Sequence, residues 1–194
     1  MDREAAFLNV PYDKGYEPLF VTLVSTLVFL GQKPHCVGEI AESGSGRLQR
    51  IFKLIESCRV SIHDLSRVGQ PPRFNMPFEL GLACALRLKD SGHEVVVIDE
   101  KPYRLDRILS DYKGRDPLIH RRRCSNVITC IYGLYNIPNA PHIEDLQNSA
   151  TLLRRSAKEI ARRYGASIFQ PAPYRALVEA ATEHAVEQQF IPLV

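Results

Sequence analysis

Short apolar strands alternate with helical segments over the first hundred residues, and this alternation restricts the fold more than any other feature of the chain. Residues 5–10 read as an apolar strand, followed by a turn-rich loop over 11–15. Pro18 suits the first turn of the next helix and Gly31 its end. Residues 36–40 read as a second strand, and 47–58 as an amphipathic helix with Leu48, Ile51, Phe52 and Ile55 at helical spacing. Residues 59–64 form the third strand, 75–89 the third helix, and 94–98 a fourth strand built on Val95-Val96-Val97-Ile98. Strands this short and this apolar, separated by helices, predict an α/β fold with a doubly wound parallel sheet of about five strands, covered on both faces.

Beyond Asp99 the rhythm loosens. Residues 105–109 predict a short helix, 110–120 a loop, and 127–132 the fifth strand. Residues 136–142 hold two prolines and read as a linker. Two C-terminal helices follow, 143–164 with a basic outer face and 174–188. This divides the chain into a nucleotide-binding or catalytic domain over 1–135 and a helical extension over 136–194, packed on that domain or on a partner.

Composition excludes several classes. The chain has 194 residues, 45% hydrophobic and 24% charged, with a net charge of +3, too small to point to nucleic acid. The arginine clusters at 121–123, 154–155 and 162–163 read as solvated or interface faces, with an anion or nucleic-acid contact as the lesser alternative. The apolar run over 19–30 falls short of the roughly 20 residues that span a bilayer and reads as a buried helix. Five cysteines form no CxxC pair, and Met1-Asp2-Arg3-Glu4 leads directly into a strand, so a reduced, cytoplasmic protein is expected. No histidine spacing indicates a metal, and no Ser-His-Asp set is evident.

In an open parallel sheet ligands bind outside the carboxyl ends of the strands. The residues there are Asn9, Tyr12 and Asp13 after strand one, and the Ser43-Gly44-Ser45-Gly46-Arg47 loop after strand two. Asp64 and Ser66 follow strand three, with Asn75 and Glu79 opening the next helix. Glu79 is the unusual one, a carboxylate in the first turn of an apolar helix. With Pro77 at the first helical position it would be the third residue, where a glutamate caps first-turn amides. The functional alternative is an ionised nucleophile, kept charged by the helix dipole, that attacks a ribose anomeric carbon or stabilises an oxocarbenium-like transition state. Asp64 reads either as an Asx turn or as a ribose ligand, and Asn75 either as a cap or as a ligand contact. Gly44, Gly46 and Arg47 read either as a plain loop or as a phosphate cradle.

The string Asp64-Leu65-Ser66, a loop, then Asn75-Met76-Pro77-Phe78-Glu79-Leu80-Gly81-Leu82-Ala83 resembles the D-(L/I)-(S/T) … N-x-x-(F/Y)-E-L-G-x-A pattern of nucleoside 2-deoxyribosyltransferases and related TIR-like domains. Phe7-Leu8-Asn9-Val10-Pro11-Tyr12-Asp13 resembles their first strand and loop, and the likeness covers roughly residues 5–100. The resemblance implies a flavodoxin-like fold. It also implies that Glu79 is the transferase nucleophile or the essential acid of NAD-cleaving TIR enzymes, with Asp64 as the acid after strand three and Tyr12 as the aromatic of the first loop. The basic loop over 67–73 and the segment over 110–117 depart from a compact transferase and favour the TIR-like side. The resemblance thus implies cleavage of a nucleotide N-glycosidic bond, NAD serving as substrate rather than cofactor, in bacterial defence or signalling, by a homo-oligomer or with a partner protein. The alternatives are a non-catalytic TIR-like nucleotide-sensing or interaction module, and nucleoside deoxyribosyl transfer.

Overall fold

The computed structural model describes residues 2–39, 46–67, 74–109, 112, 116–135 and 137–192, without the side chains of 106 and 108. Strand β1 (Asp2–Asn9) leads into helix α1 (Glu17–Phe29), then β2 (Lys33–Cys36) and a 3₁₀ turn (Val37–Glu39). Helix α2 (Arg47–Ser57), β3 (Cys58–Asp64), α3 (Asn75–Lys89) and β4 (Glu94–Asp99) continue the alternation. A short α4 (Leu105–Ile108), β5 (Leu118–Ile119) and α5 (Cys124–Tyr132) precede the two C-terminal helices, α6 (Ile143–Tyr164) and α7 (Pro171–Glu187).

The five strands are all parallel, in the order β2-β1-β3-β4-β5, with helices on both faces, which is the flavodoxin-like arrangement expected. Strand order reverses at β1, so the crevice at the carboxyl ends of β1 and β3 is the topological switch point.

Period-2 alternation divides the side chains between two cores. Ala6, Leu8, Val60, Ile62 and Ile98 face α1, α5, α6 and α7. Phe7, Val95 and Val97 face α2 and α3. Helix α1 is buried from Leu19 to Phe29 because the sheet lies on one side and α5, α6 and α7 on the other. Its Thr22, Ser25 and Thr26 hydroxyls donate back to carbonyls one turn earlier, at 2.7–2.8 Å, so these polar groups enter the core satisfied. Helices α6 and α7 pack on α1 and share its core, and the Tyr174 hydroxyl donates to the Pro34 carbonyl at 2.7 Å.

Four elements differ from expectation: besides the fifth and second strands, β1 and α7 each begin three residues early, at Asp2 and Pro171. The fifth strand is not 127–132 but Leu118–Ile119, a pair of residues beside the carboxyl end of β4. Val127, Ile128 and Ile131 instead form the buried stripe of α5. Their β-branched composition resembles a strand, but packing against α1 favours helical spacing. The second strand starts three residues early, at Lys33, and yields to the 3₁₀ turn at Val37. Pro34 fits there because β2 is the outer strand of the sheet.

Gly38 in that turn permits a close approach. A Cβ at this position would lie 2.3 Å from the Phe169 carbonyl oxygen, in the α6–α7 connection. Gly38→Ala is expected to force the two segments apart at a cost of about 2 kcal/mol, read as a fall in thermal midpoint.

Among the described residues no helix is long and apolar enough to cross a membrane.

Candidate functional site

A cavity of about 470 Å³ opens where β1 and β2 end and α2 and α3 begin. It is lined by Asn9, Val10, Tyr12, Val37, Arg47, Phe74, Asn75, Met76 and Glu79. Five of the ten residues expected at the site therefore meet here: Asn9, Tyr12, Arg47, Asn75 and Glu79.

Glu79 is not a cap. Helix α3 begins at Asn75, so Pro77 is its third residue and Glu79 its fifth, beyond the amides that a capping side chain serves. Pro77 is tolerated because the amide it lacks would have no intrahelical acceptor in the first turn. Glu79 is only 8% exposed, and its Oε2 has no hydrogen-bond partner among the described residues. Burial pushes its carboxyl up to about 7, against a smaller opposing pull from Arg47. The expectation that the helix dipole keeps it ionised is corrected accordingly: desolvation dominates, and near neutrality the carboxyl is close to half protonated.

Asn9 fixes the geometry around it. Its amide nitrogen donates to the Met76 carbonyl at 2.9 Å and lies 3.0 Å from His63 Nδ1. The Met76 carbonyl can only accept, so this atom is the amide nitrogen and His63 Nδ1 is the acceptor. The ring hydrogen of His63 is then on Nε2, which is buried with no partner among the described residues. Burial, reinforced by His93, lowers the His63 pKa to about 3, so the ring is neutral. Asn9 in this way ties the end of β1 to β3 and to the first turn of the helix that carries Glu79.

Tyr12 closes the apolar side. Its ring meets Phe169 edge-on at 5.3 Å and Phe20 at 6.4 Å. Its hydroxyl is buried beside Cys36 and the Gly38 backbone, and burial raises its pKa well above the usual phenol value. Arg47 is the first residue of α2 and follows Gly46, whose φ of 86° is a left-handed conformation suited to glycine. Gly46 does not line the cavity, and Gly44 lies outside the described residues.

The other expected residues are placed elsewhere. Asn9 and His63 are register partners facing α2 and α3, whereas Asp64, one residue on, points to the opposite face. There Asp64 is fully buried, and its carboxylate accepts from the Tyr16 hydroxyl and from the Ser66 amide at 2.7 Å, with His120 Nε2 3.1 Å away. The Ser66 contact is the Asx turn that the sequence allows as one reading. Asp64 and Glu79 therefore do not share a cleft. Asp13 pairs with Arg67 at 3.2 Å, and the Ser66 hydroxyl lies 3.0 Å from His120 Nε2.

Ser66, His120 and Asp64 do come together, which the sequence spacing concealed. They are not arranged for proton relay. A relay uses the two ring nitrogens for the two partners. Here Nε2 meets both Ser66 and Asp64, while Nδ1 accepts the Arg122 amide at 3.1 Å. The cluster is a buried clamp between the loops after β1, β3 and β5.

Sequence reasoning missed Val10, Val37, Phe74 and Met76 in the cavity wall. Phe74 and Met76 flank Asn75, so the start of α3 contained the signal. Val37 was hidden by the misplaced second strand. Among the described residues no group of three His, Cys, Asp or Glu side chains is placed to hold a metal ion. No known protein-family model and no curated protein matches the chain.

Proposed function

We propose that the Glu79 cavity binds a nucleotide and cleaves its N-glycosidic bond, with a NAD-type pyridinium nucleotide as the substrate class. The observation that carries this reading is Glu79 itself: a carboxylate desolvated in a cavity, with one oxygen unpartnered among the described residues. A buried polar atom without a partner costs free energy, and ligand sites are where such costs are retained. The likeness of residues 64–83 to the transferase and TIR-like pattern supports the same chemistry.

Glu79 is the one acidic residue in the cavity lining among the described residues. That favours a leaving group that departs without protonation. The ionised carboxylate attacks the anomeric carbon or stabilises the oxocarbenium character that develops there. The C–N bond breaks with its electron pair going to the ring nitrogen, and neutral nicotinamide leaves. Water then adds to the anomeric carbon and releases a proton. Asn9, Asn75 and the Tyr12 hydroxyl are the groups that would meet ribose or base, and Arg47 the group that would meet phosphate. Asp64 supports the loop after β3 instead of touching ribose.

The test is incubation of the protein with NAD and chromatography for free nicotinamide. Equal amounts of nicotinamide and ADP-ribose are expected. Base exchange on deoxynucleosides without NAD turnover would replace this reading with deoxyribosyl transfer. Nucleotide binding without turnover would replace it with a sensing module.

A further inference from the structure

We propose that helix α3 pairs antiparallel with α3 of a second copy of this chain, across a two-fold axis at the level of residue 83. The inward face of the helix, carrying Met76, Leu80, Ala83 and Leu86, is buried against the sheet. The outward face is also apolar. Phe74 is 75% exposed, Phe78 54% and Leu88 89%, with Gly81 and Ala85 exposed between them. Positions 74, 78, 81, 85 and 88 alternate steps of four and three, the spacing of one continuous helical stripe, and none is charged or polar.

The stripe is self-complementary. Residues 81 and 85 are equidistant from 83, and so are 78 and 88. In an antiparallel pair Gly81 of one copy lies opposite Ala85 of the other, and Phe78 lies opposite Leu88. Small residues meet where the helices cross, which permits close approach, and large residues meet on either side. Gly81 supports this independently. It is absent from the positive-φ positions, and a Cβ there would meet nothing within 4 Å. Nothing among the described residues asks for glycine in the middle of this helix, where it is a poor helix former.

The area is sufficient. Phe74, Phe78 and Leu88 present roughly 400 Å² of apolar surface per copy, the size of the largest patch on a typical soluble protein, which is often functional. A groove of about 630 Å³ between α2 and α3, walled by Leu48, Phe52 and Leu82, extends the patch along one flank. Both copies together then reach about 1,000 Å², the minimum for a specific interface. Lys53 and Glu56 line the same groove, one of each sign, so this flank carries no net charge to repel a second copy. Phe74 also lines the Glu79 cavity, which places the second copy beside its mouth. The pairing does not depend on the chemistry assigned to that cavity.

Light scattering of the purified chain decides the matter, with Gly81→Arg, Ala85→Arg and, as a control on the exposed side of α6, Leu152→Arg. Expected is twice the chain mass for the native protein and for Leu152→Arg, and a single chain mass for the two α3 variants. Gly81→Arg should keep the helical signal and thermal midpoint of a folded chain, because arginine is the better helix former and the space around it is open. A native protein of one chain mass overturns the proposal. So does a dimer that survives both α3 variants, or one that Leu152→Arg dissociates equally.

Discussion

Glu79→Gln is expected to stabilise the fold above pH 7 and to leave it unchanged near pH 4. The carboxyl titrates at about 7 in the folded chain against an ordinary 4.5, because burial outweighs the pull of Arg47. Below 4.5 both folded and unfolded chains hold the proton, and the shift has no effect on stability. Between 4.5 and about 7 the unfolded chain ionises first, so stability falls as pH rises. Above about 7 the full penalty is present and constant, on the order of 3 kcal/mol. Glutamine is neutral throughout and removes it. The expected gain is about 2–3 kcal/mol at pH 8, several degrees in thermal midpoint for a chain of this size, and near zero at pH 4. Calorimetry at the two pH values measures it. A variant less stable than the native chain at pH 8 would show that the carboxylate has a stabilising partner after all. A residue that destabilises the fold in its working charge state is what a stability–function trade-off requires.

Asp64→Ala is expected to act in the opposite direction and more strongly. Its carboxylate satisfies the Tyr16 hydroxyl and the Ser66 amide and lies 3.1 Å from His120 Nε2 at a fully buried position. Alanine leaves two donors, the Tyr16 hydroxyl and the Ser66 amide, without an acceptor and opens space at the end of β3. Removing one member of such a network costs about 3–5 kcal/mol, because the remaining polar groups stay buried unpaired. Denaturant unfolding should show a lower midpoint at unchanged slope. A loss under about 1 kcal/mol would mean that water replaces the carboxylate and that the clamp is not structural. Asp64 and Glu79 thus separate cleanly: one holds the loops, the other faces the cavity.

The strands and helices are legible in the sequence because their periods differ and their apolar content is high. Helix α3 is readable with its boundaries correct, and the buried α1 is recognisable from a run of apolar residues too short for a bilayer. Strand β5 is not legible, since two residues carry no period, and the neighbouring β-branched run of α5 offers a better-looking strand. At the site, strand-end position places Asn9, Tyr12, Asn75 and Glu79 together, but the same rule puts Asp64 on the wrong side. Alternation along β3 sets His63 and Asp64 on opposite faces, and end-of-strand position alone ignores that parity. His120 and Tyr16 are invisible as partners because the fold, not the spacing, brings residues 16, 64 and 120 together. The charge state of Glu79 is misjudged for a related reason. Its dipole is readable from the helix, whereas its desolvation depends on a cavity wall to which Val10, Tyr12 and Val37 come from other parts of the chain.

The most direct measurement is the rate of nicotinamide release from NAD across pH 5 to 9, for the native protein beside Glu79→Gln. Expected is a native rate that climbs through about pH 7 as Glu79 ionises and then levels, with the variant at background throughout. A Glu79→Gln protein that releases nicotinamide at the native rate would contradict a catalytic role for this carboxylate.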